Sequence, residues 1–220
     1  MKKIPHILAF LLLPMGVASA ATGLDRHSLQ ILGITPGEST FADVIRLYGG
    51  AKQWHSGDAA TSETKMCFHF RTGGRDTFVV VASNSEMAGT PNYLVTDIRL
   101  YSETEPFPDS ARCAAVSSAP GSFSTKGGVG LGIPVAELER ILGKPHGKEG
   151  SRLVWSACKE VPLPVSHPKF NYWSKREGCF KDEHGGWKGK PYYNVCSQLS
   201  VAVKGGKTTY LELSSVDSIC

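Results

Sequence analysis

The sequence lacks a strong charge of either sign, and this absence excludes one class of partner. Its 220 residues include 24 Lys and Arg against 20 Asp and Glu. Without Lys2 and Lys3, which precede an apolar run, 22 basic residues remain. Domains that bind nucleic acids carry a clustered excess of basic residues. We therefore expect no nucleic-acid partner.

The motifs that would mark catalysis or metal binding are also missing. The sequence has no Cys-x-x-Cys, His-x-His, His-Glu-x-x-His or Gly-x-Ser-x-Gly, and the glycines of 127–132 lack the spacing of a nucleotide-binding loop. Cys67 and His69 fall on one face of a strand, which a metal could use, but a disulfide explains the cysteine more simply. We expect no metal, no cofactor and no enzymatic activity. A small exported hydrolase stays an alternative, because a catalytic triad is defined by geometry and not by a motif.

The N-terminal apolar run is too short to span a membrane. Ile7–Val17 is about 11 residues long, whereas a helix that crosses a bilayer core of roughly 30 Å needs about 20. Lys2 and Lys3 before the run and Ala18-Ser19-Ala20 after it are typical of a signal peptide over residues 1–20. No cysteine follows the cleavage site, so no lipid anchor is expected. The protein is predicted to be periplasmic or secreted, without a membrane anchor.

What the chain does have is a repeat. The amphipathic phrase of 41–49 (Phe-Ala-Asp-Val-Ile-Arg-Leu-Tyr-Gly) returns 94 residues later at 135–143, and Cys67 and Cys158 follow 91 residues apart. Each phrase has the apolar stripe of a helix packed by one face. Strand-like runs follow each one. The sequence therefore predicts an α+β fold with two tandem units, each with short helices on an antiparallel sheet: 21–113, a linker at 114–128, and 129–220.

Local signals place the elements of each unit. Thr40 is a candidate cap for the first helix, and Gly49 ends it. Pro134 suits the start of the second helix, which Gly143 ends. In the first unit, strands are predicted at 65–71, 77–83 and 93–101, with a further one near Trp54. In the second unit, they are predicted at 152–159, 197–204 and 208–214.

Six cysteines in an exported chain are expected to form three disulfides. Six cysteines allow 15 pairings, and the repeat narrows them. Cys113 and Cys220 each follow the last strand-like run of a unit, so we predict the equivalent bridges Cys67–Cys113 and Cys158–Cys220. This leaves Cys179–Cys196 as a clip on an insertion. A zinc site is the alternative, which the dispersed cysteines disfavour.

The repeated phrase also carries a resemblance. Leu32-Gly-Ile with Thr40-Phe-Ala-Asp-Val, echoed by Leu131-Gly-Ile-Pro-Val-Ala-Glu-Leu, resembles the helical motif of the β-lactamase inhibitory protein fold. Small outer-membrane-assembly lipoproteins share that unit. The resemblance implies helices packed on an antiparallel sheet, and tandem units in inhibitory members. It covers about 20 residues of each half, and this chain departs from the lipoproteins because it is doubled and has no lipidated cysteine.

An insertion over 161–194, absent from the first unit, is rich in aromatic and basic residues. Trp, Tyr and Arg dominate protein-binding hot spots, and a Cys179–Cys196 clip would preorganise the loop. The predicted binding residues are Tyr172, Trp173, Lys175, Arg176, Phe180, Trp187, Lys188, Tyr192 and Tyr193. Together with Lys190, their cations would steer an acidic protein partner.

The predicted function is therefore inhibitor-like protein binding without catalysis, through a sheet face and this loop. There are two alternative interpretations of the loop: a local core of aromatic side chains, and a site for carbohydrate or a cell-wall polymer. A cell-envelope assembly or scaffold factor is the alternative function.

Overall fold

A computed structural model describes residues 24–58, 62–84, 93–117, 122–162 and 192–219. The predicted signal peptide at 1–20 lies outside these ranges. The described chain contains two α-helices, a single turn of 3-10 helix (Ser110–Arg112) and nine strands. In chain order these are α1 (Phe41–Tyr48), β1 (Trp54–Ser56), β2 (Glu63–Thr72), β3 (Arg75–Asn84), β4 (Asp97–Ser102), β5 (Ala114–Val116), α2 (Val135–Leu142), β6 (Gly147–Glu149), β7 (Arg152–Pro162), β8 (Tyr192–Lys204) and β9 (Lys207–Ile219).

All nine strands form one sheet, and this corrects the predicted fold class. The order is β1-β2-β3-β4-β9-β8-β7-β6, with β5 added in parallel outside β2. Strands account for 49% of the described residues and helices for 13%, and the sheet is mostly antiparallel. The predicted α+β fold with two separate units is therefore wrong. Local patterns identified strands in each half but could not show that the halves share one sheet.

The join between the halves is the pairing of β4 with β9. Each half contributes four antiparallel strands in the same order, and the last strand of each half lies at the centre of the sheet. Leu100 lies opposite Leu211 and Tyr101 opposite Tyr210 across this join. The residues of the join are more than 100 positions apart in the chain, so no local signal predicts their register.

Both helices form where the sequence predicts them. The Thr40 side chain accepts from the backbone N–H of Asp43, and the Asp43 carboxylate accepts in return from the backbone N–H of Thr40, which makes a capping box. The second helix begins at Val135 with Pro134 as its cap. Gly49 and Gly143 end the two helices at positive φ.

The core lies between one face of the sheet and the elements that cover it. Both helices and the N-terminal segment 24–35 bury apolar side chains there, against alternate residues of the central strands. Trp155 on β7 is fully buried and its indole Nε1–H donates to the carbonyl of Gly143 at 2.9 Å. This bond fixes the end of α2 over the sheet.

The described residues contain two disulfides, one of them as predicted. Cys67 on β2 bonds with Cys113, which confirms the first bridge. Cys158 bonds with Cys196, so the predicted Cys158–Cys220 bridge is wrong. Cys158 and Cys196 are directly paired across β7 and β8, whereas β9, which leads to the chain end, is separated from β7 by β8. Two strand spacings of about 4.8 Å exceed the reach of a disulfide.

The predicted Cys179–Cys196 clip is wrong as well, because Cys196 is already bonded. Cys179 and Cys220 lie outside the described residues. The repeat argument failed because Cys113 sits just before β5, an element added after β4. No described strand follows β9 in the second half, so the cysteine equivalent to Cys67 finds its partner on the adjacent strand.

Candidate functional site on the open face of the sheet

The face of the sheet opposite the core is the candidate site, and we call it the open face. Successive side chains of a strand point to opposite faces, so the residues that alternate with the core residues share this face. It is formed by Glu63, Lys65, Cys67 and His69 of β2; Phe78, Val80 and Ala82 of β3; Asp97, Arg99 and Tyr101 of β4; Tyr210, Glu212 and Ser214 of β9; Cys196, Gln198 and Ser200 of β8; and Arg152, Val154, Ser156, Cys158 and Glu160 of β7.

A line of charged side chains, the ionic ladder, crosses the join between the halves. Arg99 donates from Nε to Glu212 at 2.7 Å and from its terminal nitrogens to Glu63. Lys65 lies 2.8 Å from Glu63, and Arg152 donates to Glu212 at 3.0 Å. The ladder therefore ties β2, β4, β9 and β7 together. The Arg99 side chain is only 17% exposed, so its charge depends on these carboxylates.

Burial and pairing shift the pKa values of the ladder in opposite ways. Burial by itself raises the pKa of Glu63, but hydrogen bonds from Arg99 and Lys65 outweigh it and lower that pKa from 4.5 to about 2. Burial raises the pKa of Asp97, beside the ladder, against the hydrogen bond that Thr96 donates to it. Burial also raises the pKa of Tyr210, whose hydroxyl donates to Glu212 at 2.8 Å. The tyrosine therefore stays neutral and holds the carboxylate in place.

A row of aromatic rings continues from the ladder across the first half. Tyr210 contacts Tyr101 edge to face, and Tyr101 stacks on Phe107 with ring centroids 4.6 Å apart. Phe107 also contacts Phe78, on which the His69 ring stacks at 4.7 Å. Phe107 belongs to the segment 103–113, which leaves β4 and crosses β3 and β2 to reach Cys67 through Cys113. This segment covers much of the open face in the first half.

In the second half, no described segment crosses the open face, and we call this part of it the polar patch. Its members carry hydroxyl, amide, carboxylate or disulfide groups and are exposed or half-exposed: Ser156, Cys158, Glu160, Cys196, Gln198 and Ser214. The Cys158–Cys196 disulfide joins β7 to β8 in the middle of the patch. Arg152 borders it, with a 41% exposed side chain and its guanidinium carbon 4.1 Å from the centre of the Tyr210 ring.

Most of the aromatic and basic residues that the sequence predicts as a binding site are not among the described residues. Tyr172, Trp173, Lys175, Arg176, Phe180, Trp187 and Lys188 lie outside the described residues, as does Lys190. Tyr192 and Tyr193 begin β8, so the strand extends into the segment that was predicted to be an insertion. The site on these residues stays a prediction.

The ladder itself was missed by sequence reasoning, although a signal for it exists. In Asp97-Ile-Arg-Leu-Tyr101 and Tyr210-Leu-Glu-Leu213, polar and apolar residues alternate strictly. Such alternation places Arg99 and Glu212 on the face opposite the core. What no pattern could show is that the two strands pair with these residues side by side.

One serine–histidine pair bears on the hydrolase alternative. The Ser62 hydroxyl lies 2.7 Å from Nε2 of His55, as in a nucleophile–base pair, but Nδ1 of His55 contacts the Thr64 hydroxyl at 3.3 Å where a triad has a carboxylate. Ser62 is also buried, and it lines neither of the two clefts described below. This arrangement does not favour hydrolysis.

Metal binding finds no support in the described residues, where no three His, Cys, Asp or Glu side chains cluster to hold an ion. Cys67, which could have served as a ligand, is in a disulfide. His69 instead contacts the Asp76 carboxylate at 2.9 Å through Nε2.

Two clefts open on the surface of the described chain. One, of about 570 Å³, lies at the end of the sheet among the hydroxyl groups of Thr72, Thr77 and Ser102 and the cations of Lys204 and Lys207. The other, of about 380 Å³, lies between the N-terminal segment and the ends of β7 and β8. It is on the core side of the sheet, away from the open face.

The two disulfides indicate an oxidising location outside the cytoplasm. Within the described residues, neither helix has the length and apolar character needed to cross a membrane. No protein-family model, curated protein sequence or solved structure matches this chain.

Proposed function

We propose that this protein is an exported, non-enzymatic binding protein that recognises a protein partner through the open face of its sheet. The observation that carries the proposal is the polar patch next to Arg152. There a rigid, disulfide-linked strand pair presents exposed polar side chains beside a guanidinium stacked on a tyrosine ring. Action would be steric, as in an inhibitor that covers the surface of its target.

The proposal is supported by the preorganisation of the Arg152 side chain. The ladder and the ring of Tyr210 hold Arg152 before any partner arrives, so little side-chain entropy is lost on binding. Arg and Tyr are also the residue types that most often anchor protein interfaces. The exposed Ser156 and half-exposed Gln198 would supply hydrogen bonds around that anchor. The predicted aromatic and basic loop, between β7 and β8, would add contacts beside the patch.

Photo-crosslinking from the open face tests this function. The oxidised protein would carry benzoylphenylalanine at Ser156 or Gln198, and at exposed Glu139 on α2 as the control. We expect the two open-face positions to trap the same protein from periplasmic and secreted extracts of the producing cells, and the control position to trap none of it. In the same assay Arg152→Ala should reduce capture about tenfold without loss of fold, because it removes the anchor.

Three results would count against the proposal. Equal capture from Glu139 would move recognition to the helical side. A trapped outer-membrane complex would favour the assembly-factor alternative. Unchanged capture by Arg152→Ala would show that the stacked guanidinium is not the anchor.

A further inference from the structure

The outer edge of β7 is covered along its first residues, and beyond them no part of the chain that the structure describes pairs with it. Arg152–Val154 pair with β6, and the backbone N–H of Ser156 donates to Nδ1 of His146 at 2.9 Å. Backbone groups of alternate residues in a strand point to the same edge, so those of Cys158 and Glu160 also point outward. No residue of the described ranges pairs with them. An unpaired edge of this kind is a template for a further strand.

The first half of the protein shows what such an edge accepts. β2 occupies the place that β7 occupies in the second half, and Cys67 and Cys158 correspond. Directly after Cys67, Phe68–Phe70 pair in parallel with β5 (Ala114–Val116). The side chains of Ala114 and Val116 pack against the core. The equivalent stretch of β7 is Lys159–Val161, and no strand of the described residues pairs with it on that side.

If a strand were added to β7 as β5 is added to β2, its side chains on the core side would point towards a cleft. It is the 380 Å³ cleft on the core side, and its walls include Leu24, Ala157, Val161 and Val195. Alternate residues of a strand added to β7 would point into it, as Ala114 and Val116 point into the core of the first half. Small or medium apolar side chains at every second position would contact the apolar part of this wall, which charged residues border.

The cleft is lined by charged as well as apolar residues, and Arg26 among them donates from Nε to the Ser215 hydroxyl at 3.0 Å. Asp25 accepts from the backbone N–H of Ser28, and Glu38 lies 3.8 Å from Nδ1 of His27. Lys159 is exposed and forms no ion pair with any described carboxylate. An acidic residue on the added strand would complement it.

We propose that the edge of β7 at Cys158–Val161 and the adjoining cleft bind an extended peptide segment of a partner. The segment adds parallel to β7, places apolar side chains at alternate positions into the cleft, and presents an acidic residue to Lys159. Main-chain hydrogen bonds supply affinity and the cleft supplies specificity, as in other strand-addition sites. This surface is an edge and a core-side cleft, so it is independent of the proposed recognition through the open face.

The experiment uses the oxidised protein, isotope-labelled for NMR, and a blocked peptide Glu-Ser-Ala-Ala-Val-Ser patterned on β5. In the β5 register the glutamate falls on the same side as Lys159. We expect shifts at Cys158–Val161 and at Leu24. Glu160→Pro, which removes an outward N–H, should weaken binding about tenfold, whereas Glu160→Ala should leave it nearly unchanged. Proline is tolerated at an edge whose N–H faces outward.

Charge and backbone controls sharpen the test. A peptide with Lys for Glu should bind more weakly, Lys159→Glu should reverse that preference, and a peptide N-methylated at its three central residues should not bind. Equal affinity of the Glu160→Pro and Glu160→Ala proteins would overturn the proposal. So would slow exchange of the Cys158 and Glu160 amides without peptide, which would mean the chain covers its own edge. Shifts that appear on concentrating the protein alone would assign the edge to a second copy instead.

Discussion

Replacing Arg99 by methionine is expected to lower the free energy of unfolding by about 2–4 kcal/mol. The guanidinium is the shared partner of Glu63 and Glu212, whose side chains are 22% and 20% exposed. Methionine fills a similar volume but carries no positive charge. It therefore leaves the negative charges of both carboxylates less well balanced, in a place that water reaches poorly. Urea unfolding of the oxidised protein at neutral pH, followed by circular dichroism, measures the change.

Two further variants separate the buried ladder from ordinary surface charge. Arg71→Met removes a cation that is 73% exposed and 3.8 Å from Asp76, so its effect should stay below about 1 kcal/mol. Adding Glu63→Gln and Glu212→Gln to Arg99→Met should restore part of the lost free energy of unfolding, because the two carboxylate charges that Arg99 had balanced are then removed. If Arg71→Met lowers the free energy of unfolding as much as Arg99→Met does, or if the triple variant is no more stable than Arg99→Met, the ladder does not act as a coupled unit.

The helices could be predicted from the sequence because their signals are local. Thr40 and Asp43 are three residues apart and form the capping box on their own. The glycines at 49 and 143 take a conformation that other residues resist. Gly73-Gly74, both at positive φ, likewise fix the β2–β3 turn and with it the hairpin. Each of these features depends on contacts within one short stretch of chain.

The join between the halves could not be predicted because it depends on contacts across the whole chain. Arg99 and Glu212 are 113 residues apart, and their bond exists only once β4 and β9 pair in one register. The same limit explains the second disulfide. The repeat correctly suggested that Cys67 and Cys158 occupy equivalent strands, but the partner of Cys158 was decided by which strand lies next to β7. The correct alternation of polar residues was visible, yet their alignment across strands was not.

Part of the candidate site, the ionic ladder, crosses the β4–β9 join, whose register could not be predicted from the sequence. Arg99 reaches Glu212 only across the β4–β9 join, whereas Arg152, Tyr210 and the polar patch lie within the second half. A fragment of one half would keep its helix signal but lose the ladder. The link from Glu63 through Arg99 to Glu212 is therefore a property of the complete sheet.

Acid should remove the contribution of Glu63, and this is the second large expected effect. Its pKa is about 2 in the folded protein against 4.5 as the ordinary value. A lowered pKa means that the stabilisation is fully present above about pH 4.5 and is lost as the pH falls towards about 2. The stability gap between the wild type and Glu63→Gln should therefore be widest above pH 4.5 and narrow by about 2–3 kcal/mol on going down to pH 2.

The measurement is a series of urea titrations of both proteins between neutral pH and pH 2, with Glu139→Gln as the matched control. Glu139 is exposed on α2, and its side chain forms no hydrogen bond or ion pair within the described chain, so its variant should follow the wild type at every pH. A constant gap between the wild type and Glu63→Gln would mean that Arg99 and Lys65 do not hold the carboxylate as the geometry indicates. A gap that closes across this window would tie acid sensitivity to the ladder, because Glu63 is the carboxylate that links β2 to the join.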